Sequence, residues 1–199
     1  MEYIGSDALF ATHVARYKVT ELVDELTEIY DSYDKDDSLW EYNQTKDVNV
    51  FDKHKKIQKA LVNIAKDFLV NKLNFDCDIQ MTTSWLTKTF PEDYSRNLHT
   101  HHNSWWSGVI YLHDDCAIQL NSLIASISSF EVPLRKFSID STNLSVYQTD
   151  KGDMLLFPSQ TPHMIVKKED KQYKHIRRSI AFNFLPKGNV GIADSSWKY

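Results

Sequence analysis

The chain has 199 residues, of which 42% are hydrophobic and 25% charged, values that suit one domain with a single apolar core. Its formal net charge of −4 lacks the basic field that drives nucleic-acid binding, so we expect no nucleic-acid partner. No apolar run approaches the ~18 residues of a membrane span, and the first residues lack the features of a signal peptide. We therefore expect a cytoplasmic protein with no membrane partner, whose cysteines, Cys77 and Cys116, are free thiols.

The first third of the chain has helical periodicity. Apolar residues recur at helical spacing from Val19 to Tyr33, with Thr20 as a candidate N-cap. A second amphipathic helix is predicted from about Lys53 to Leu73, with Asp52 available as its N-cap. We expect residues 1–75 to form a helical support region.

From about Asp78 the pattern changes to short segments rich in β-branched and aromatic residues, separated by polar turns. About eight such strands predict a mainly β fold, a double-sheet jelly roll with the helices packed on one outer face. The predicted strands are Ile79–Lys88, Leu98–His101, Ser107–His113, Ala117–Asn121, Leu144–Thr149, Met154–Pro158, His163–Lys167 and Arg177–Leu185. We place the β core at about residues 76–187 of a single domain, with a tail at 188–199 and a candidate hairpin or lid inserted at 122–141.

Histidines at alternate positions of one predicted strand give the first chemical signal. In Asn97–Leu112, His99 and His101 share a strand face while His102 points away. Two imidazoles spaced in this way can bind one metal ion, and His163, at the start of a later strand, is the best candidate for a third ligand. In a jelly roll, such a separation in sequence can bring two strand ends to one mouth of the barrel. The other histidines that we expect to be surface or hydrogen-bonded residues are His13, His54, His113 and His175.

A second polar pair lies on the last predicted strand, where Arg177 and Ser179 share a face with Ala181 and Asn183. A guanidinium beside a hydroxyl can hold a carboxylate through a bidentate, charge-assisted bond. The alternative is a surface arginine pair at the start of a strand. A metal-binding histidine just upstream favours the carboxylate site.

Together these segments resemble the 2-oxoglutarate/Fe(II) oxygenase group of phages and bacteria, part of the superfamily that includes prolyl-hydroxylase-like enzymes. The resemblance rests on HTHHNS, SGVIY, GDMLLFPS followed by His163, and RRSIAFN, and it covers most of residues 9–185 in order. It implies a double-stranded β-helix that uses Fe(II), 2-oxoglutarate and O₂. It further implies a hydroxylase that releases succinate and CO₂, in the host cytoplasm if the chain is phage-encoded. The substrate, a small molecule or a peptide, and the oligomeric state stay open.

The resemblance assigns His99 and His163 to the two histidine positions of the iron site. His101 stands where most of the superfamily has Asp or Glu. His101 is therefore either a third, neutral ligand or a neighbour of a position that water fills. His102, in place of the usual proline of the group, is a lesser competitor.

The resemblance also implies that Arg177, with Ser179 beside it, binds the far carboxylate of 2-oxoglutarate. Tyr111 resembles a strand tyrosine that hydrogen-bonds the same carboxylate, although a core aromatic is an equal alternative. No catalytic residue beyond the metal ligands is implied. The candidate pocket walls are Trp85, Asn103, Trp105 and Asn183. Two other classes remain open: a three-histidine cupin-type dioxygenase that does not use 2-oxoglutarate, and a non-enzymatic jelly-roll binding module.

Overall fold

The computed structural model describes residues 11–93, 98–123, 135, 142–167 and 176–198. Most of the predicted insertion at 122–141 therefore lies outside the described residues. The helices and strands follow the chain as β1 (Ala15–Lys18), α1 (Val23–Asp34), β2 (Trp40–Glu41), β3 (Gln44–Thr45), α2 (Lys55–Lys66), β4 (Asp78–Thr89), β5 (Trp106–Tyr111), β6 (Cys116–Asn121), β7 (Leu144–Thr149), β8 (Asp153–Pro158), β9 (His163–Ile165), β10 (Arg177–Lys187), β11 (Asn189–Val190) and β12 (Trp197–Lys198).

Two antiparallel sheets form the body of the fold. The larger has seven strands in the order β1-β8-β5-β10-β4-β3-β2, and the smaller has the order β7-β6-β9. Apart from the β2–β3 hairpin, neighbouring strands of the larger sheet are far apart in sequence, as expected for a jelly roll. The predicted mainly β fold, with two helices on one outer face of a jelly roll, is confirmed.

Strand alternation divides the apolar side chains into two clusters. On β5, Ile110 faces the helices and packs in one cluster with Leu26 of α1 and Leu61 of α2. Val109 and Tyr111 face the smaller sheet and belong to a second cluster between the two sheets. Because both faces of β5 are covered, each of its residues is buried. The predicted Arg177 and Ser179 lie on this second, inter-sheet face, since Ser179 pairs with Tyr111.

The N-terminal region differs from the prediction in three details. Thr20 opens a 3₁₀ turn and its side chain caps no helix, since α1 begins at Val23. Asp52 accepts hydrogen bonds from the Lys55 and Gln58 side chains, and no backbone amide of α2 donates to it. The region also contains strand β1 and the β2–β3 hairpin, which are too short to show a period of two and exist through pairing with the larger sheet.

Two further predictions concern the cysteines and the membrane. Cys77 and Cys116 are both unpaired, as expected. Among the described residues, no helix is both long enough and apolar enough to cross a membrane.

Candidate metal centre

Backbone pairing brings the three predicted metal ligands together. His99 and His163 form an antiparallel bridge in which each backbone N–H donates to the carbonyl of the other, at 3.0 and 2.9 Å. The backbone N–H of His101 donates to the Ser159 carbonyl at 2.9 Å. His99 therefore lies beside the start of β9 and His101 beside the end of β8, so the two parts of the chain meet as the jelly-roll argument predicted. The predicted strand Leu98–His101 is wrong, because this segment makes a single β-bridge and no regular strand.

The three imidazoles form a compact cluster. One ring nitrogen from each of His99, His101 and His163 lies within 4.8 Å of the others. The ring centroids are 4.3 Å apart for His99 and His163, 5.0 Å for His101 and His163, and 5.5 Å for His99 and His101. Small side-chain rotations would place all three nitrogens at about 2.1 Å from one ion. His163 is buried and His99 is exposed, so the cluster is open to solvent on one side.

Hydrogen bonds and burial keep the imidazoles of His101 and His163 neutral, with Nε2 free to bind a metal ion. Nδ1 of His163 lies 2.9 Å from the Thr161 carbonyl, an acceptor, so Nδ1 carries the proton and Nε2 has the free lone pair. Nδ1 of His101 lies 2.9 Å from Asn183 Oδ1, which assigns the same tautomer. Burial lowers the pKa of His163 to about 4, and it lowers that of His101 as well. Both rings are neutral at pH 7, which is the form that binds metal.

A cavity of about 260 Å³ connects this cluster to the rest of the inter-sheet face. The three histidines, Arg177 and Ser179 all line it. Its other walls are Asn43, Gln44, Trp85, Thr87, Lys88, Thr89, Gly108, Val109, Ile118, Phe157, Ile165 and Ala181. None of these described lining residues is Asp or Glu, so the cavity suits an anion.

Arg177 is buried without a counter-ion among the described residues. Its side chain is 2% exposed, and its hydrogen bond to Thr89 Oγ1 is long at 3.5 Å. Within the described part of the chain its Nε has no hydrogen-bond partner. A buried guanidinium in this state favours an anionic ligand, because an unpaired charge away from water is costly. Ser179, two positions along β10, shares a 2.7 Å hydrogen bond with Thr87.

Tyr111 lies beneath Arg177, and the cavity lining does not include it among the described residues. The Arg177 guanidinium carbon is 5.0 Å from the Tyr111 ring centroid, a cation–π contact. The Tyr111 hydroxyl is buried and has no hydrogen-bond partner within the described ranges. Burial raises the pKa of Tyr111 to about 12, so the phenol stays neutral. Tyr111 therefore lies behind Arg177, and its contact with the cosubstrate stays a prediction.

The candidate pocket walls fall into two groups. Trp85 lines the cavity, with its ring centroid 5.5 Å from that of His101, and Asn183 bonds the same histidine from β10. Asn103 and Trp105 are not among the described lining residues. Asn103 is an exposed turn residue with φ 53°, and Trp105 packs edge-on against Phe75 beside the helices. Because the chain turns after His101, strand alternation no longer predicts where these two side chains point.

Several residues near the site were not predicted. Ser107 and Thr161 contact the imidazoles from behind, and Thr89 contacts Arg177. Asn43, in the turn of the β2–β3 hairpin, and Gln44, on β3, also line the cavity. Ser107 could have been found by alternation, because it begins the predicted strand Ser107–His113 and shares a face with Val109 and Tyr111. The hairpin carried no comparable signal.

Fold and histidine cluster together define the class: a jelly-roll protein with a candidate metal centre between its sheets. A family model described as "Putative 2OG-Fe(II) oxygenase" matches residues 83–183, which is half of the chain. The chain belongs to this family. Among curated proteins, no sequence matches it.

Solved structures of low sequence identity share the fold. SnoK, a non-heme alpha ketoglutarate dependent carbocyclase from nogalamycin biosynthesis, has a TM-score of 0.62 at 10% identity, covering 89% of this chain and 81% of SnoK. HygX from Streptomyces hygroscopicus, solved with nickel and 2-oxoglutarate, has a TM-score of 0.54 at 15% identity, covering 88% and 82%. A Pseudomonas putida prolyl-4-hydroxylase has a TM-score of 0.55 at 15% identity, covering 90% and 96%. At these identities the likeness shows the fold alone.

Proposed function

We propose that this chain is an Fe(II)- and 2-oxoglutarate-dependent dioxygenase that hydroxylates a small-molecule or peptide substrate, with succinate and CO₂ as co-products. One observation carries the proposal. A three-histidine cluster and a buried arginine without a counter-ion line the same cavity, whose described lining contains no carboxylate. A metal ion and a dianionic cosubstrate would supply the partners that these groups lack.

The metal would be held by His99, His101 and His163. Neutral imidazole suits Fe(II), although it also suits zinc, copper and nickel, so the choice of iron comes from the family. When bound, iron and 2-oxoglutarate supply the oxidative chemistry. The chain supplies three ligands, two of them with their Nδ1 protons held by acceptors.

The far carboxylate of 2-oxoglutarate would bind at Arg177 and Ser179. These residues lie on β10 on the inter-sheet face, four to six positions from Asn183, which contacts His101. The three histidines and Arg177 line the same cavity, so a diacid bound there would meet the metal at one end and the guanidinium at the other. Three neutral ligands leave the metal's charge uncompensated, and a dianion balances that charge together with Arg177.

The remaining walls exclude water and leave room for a substrate. Val109, Ile118 and Ile165 make the inter-sheet part of the cavity apolar, which strengthens the Arg177–carboxylate attraction. Trp85 flanks His101 and, with Asn43, provides an indole and an amide that a substrate can contact. The fold neighbours include a carbocyclase and a hydroxylase, so the reaction on the prime substrate rests on the site and not on the fold.

The test is an anaerobic titration of the purified protein with Fe(II), followed by 2-oxoglutarate. We expect one iron per chain and a visible metal-to-ligand charge-transfer band that grows with 2-oxoglutarate. His163→Ala should abolish both, whereas His54→Ala, a histidine outside the cluster, should change neither.

Two results would contradict the proposal. Iron binding without any charge-transfer band would favour the three-histidine dioxygenase that binds its substrate directly. A chain with no affinity for Fe(II) would leave only a binding module. A screen for substrate-stimulated succinate formation over peptides and metabolites then identifies the substrate.

A further inference from the structure

Asn183 contacts the Nδ1 edge of His101 from the neighbouring larger sheet. We propose that Asn183 is a positioning residue whose side-chain oxygen holds the His101 proton on Nδ1, so that Nε2 faces the metal with a free lone pair. The proposal rests on the proposed metal site and adds to it the residue that selects the ligand atom of His101.

The contacts form a closed triangle. Asn183 Oδ1 lies 2.9 Å from His101 Nδ1, Ser107 Oγ lies 3.1 Å from the same nitrogen, and Ser107 Oγ donates to Asn183 Oδ1 at 2.8 Å. Asn183 is 9% exposed and Ser107 is 1% exposed. Hydrogen bonds at such buried positions are strong, because the local dielectric is low and water does not compete.

In the structure the Asn183 amide is oriented with Oδ1 toward the imidazole and Nδ2 toward β4. Asn183 Nδ2 donates to Thr83 Oγ1 at 3.0 Å, which leaves Oδ1 facing the imidazole. An amide oxygen only accepts, so the proton between it and His101 belongs to Nδ1. The reversed amide would place Nδ2 against Nδ1 and would move the imidazole proton to Nε2, which blocks metal binding.

A chain of serine hydroxyls supports this orientation. Ser104 Oγ lies 2.7 Å from Ser159 Oγ, and Ser159 Oγ lies 2.8 Å from Ser107 Oγ. Ser104 Oγ also lies 3.2 Å from the Trp106 carbonyl, a longer contact than the one to Ser159. If Ser104 donates along the shorter contact and each hydroxyl donates to the next, the chain ends with the Ser107 proton on Asn183 Oδ1. Each serine then uses its single proton, and Asn183 Oδ1 becomes a better acceptor for His101.

Strand register explains why these groups meet. Thr83, Asn183 and Ser107 occupy one row across β4, β10 and β5, on the face that looks toward the smaller sheet. The register of β10 against β4 shifts directly after Asn183, at a β-bulge. The next row on this face contains Trp85, Ala181 and Val109, which cannot make such bonds. Of these two rows, only Thr83–Asn183–Ser107 can provide an acceptor for the His101 Nδ1 proton.

Asn183 controls the proton of His101 without adding a charge. A carboxylate in the same place would also accept from Nδ1, and it would place a negative charge behind the ligand. Acceptors behind metal-binding histidines fix the tautomer and ring orientation, and their loss typically weakens metal affinity by about 10- to 100-fold.

The experiment uses ¹⁵N-histidine-labelled, metal-free protein and Co(II) as a spectroscopic substitute for Fe(II). In wild type, the His101 resonances, assigned by their loss in His101→Ala, should show the tautomer with the proton on Nδ1. Asn183→Leu should shift His101 toward the Nε2-protonated form and weaken Co(II) binding by about 10- to 100-fold. Asn183→Asp keeps an acceptor and should retain the wild-type tautomer and bind Co(II) at least as tightly.

Two further variants separate positioning from folding. Thr83→Val keeps Asn183 but removes the acceptor of its Nδ2, and should give a mixed tautomer with Co(II) binding weakened about five-fold. Asn43→Ala changes a buried asparagine that lines the same cavity but bonds Asp93, and should leave the tautomer and the Co(II) affinity unchanged.

The proposal is overturned if wild-type His101 carries its proton on Nε2, or if Asn183→Leu keeps the wild-type tautomer and affinity. It is also overturned if Asn183→Asp loses affinity as strongly as Asn183→Leu does. A wild type that binds no Co(II) or Fe(II) refutes the metal site instead, and the tautomer measurement on metal-free protein still decides the role of Asn183.

Discussion

Replacement of Arg177 should separate ligand binding from stability. Arg177→Met removes a guanidinium that is 2% exposed and whose Nε has no partner among the described residues. Truncation of one member of a buried, hydrogen-bonded charge pair costs about 2–5 kcal/mol of binding free energy. We therefore expect 2-oxoglutarate affinity to fall by about 30-fold to several thousand-fold. The 2-oxoglutarate affinity of Arg177→Lys should lie between those of Arg177→Met and the wild type, because the ammonium keeps the charge but loses the bidentate geometry.

Arg178 provides a matched control. It is adjacent in sequence but points to the opposite face of β10, where its guanidinium bonds Asp31 at 2.9 Å and Asp34 at 2.7 Å and stacks on Tyr30 at 5.1 Å. These partly exposed contacts should contribute about 1–2 kcal/mol together. Arg178→Met should then lower Tm by about 2–8 °C and leave 2-oxoglutarate affinity unchanged.

The assay combines the charge-transfer titration with thermal unfolding of the metal-free variants. Without cosubstrate, Arg177→Met should unfold at or above the wild-type temperature, because it removes a buried charge that has no counter-ion among the described residues. The reasoning is refuted if Arg177→Met binds 2-oxoglutarate like wild type. It is equally refuted if Arg178→Met loses 2-oxoglutarate affinity while Arg177→Met only lowers Tm. In that case the faces of β10 on which the two arginines lie would be wrongly assigned.

Three other substitutions test separate parts of the site. His101→Asp should keep Fe(II) affinity within about 10-fold in a metal titration, whereas an unchanged affinity in His101→Ala would show that His101 is not a ligand. Tyr111→Phe removes a buried hydroxyl without a partner in the described residues, so 2-oxoglutarate affinity should change less than about three-fold; a larger loss would indicate direct contact. Gly108→Ala would place a Cβ against the Phe182 ring and 2.8 Å from Leu156 Cδ2, so the free energy of unfolding should fall by about 1–3 kcal/mol in denaturant titration.

The strands of the β core could be predicted from local periodicity in the sequence. Leu144–Thr149 has the predicted bounds, and Arg177–Leu185 differs from β10 only by two residues at its end. A period of two is a property of each strand by itself, so it survives without knowledge of the partner strands. The same period placed His99 and His101 on one side and predicted that they converge, which the structure shows.

The short elements depended on the tertiary structure. β1 has four residues and the β2–β3 hairpin strands have two each, so they contain no recognisable alternation. They are strands because the edges of the larger sheet offer them hydrogen-bond partners. The hairpin nevertheless lines the cavity through Asn43 and Gln44, so this part of the cavity wall could not be predicted from the sequence.

The amino-acid sequence by itself determined the family of this protein, the kind of fold and the three histidines, because each depends on residue types at short, regular spacings. Only the tertiary structure decided that Arg177 is buried without a counter-ion among the described residues and that Asn183 bonds His101. The Asn183 network joins residues 76 and 100 positions apart in the chain. Such contacts are created by strand register across the sheet, and no local pattern of residues encodes which side chains will share a row.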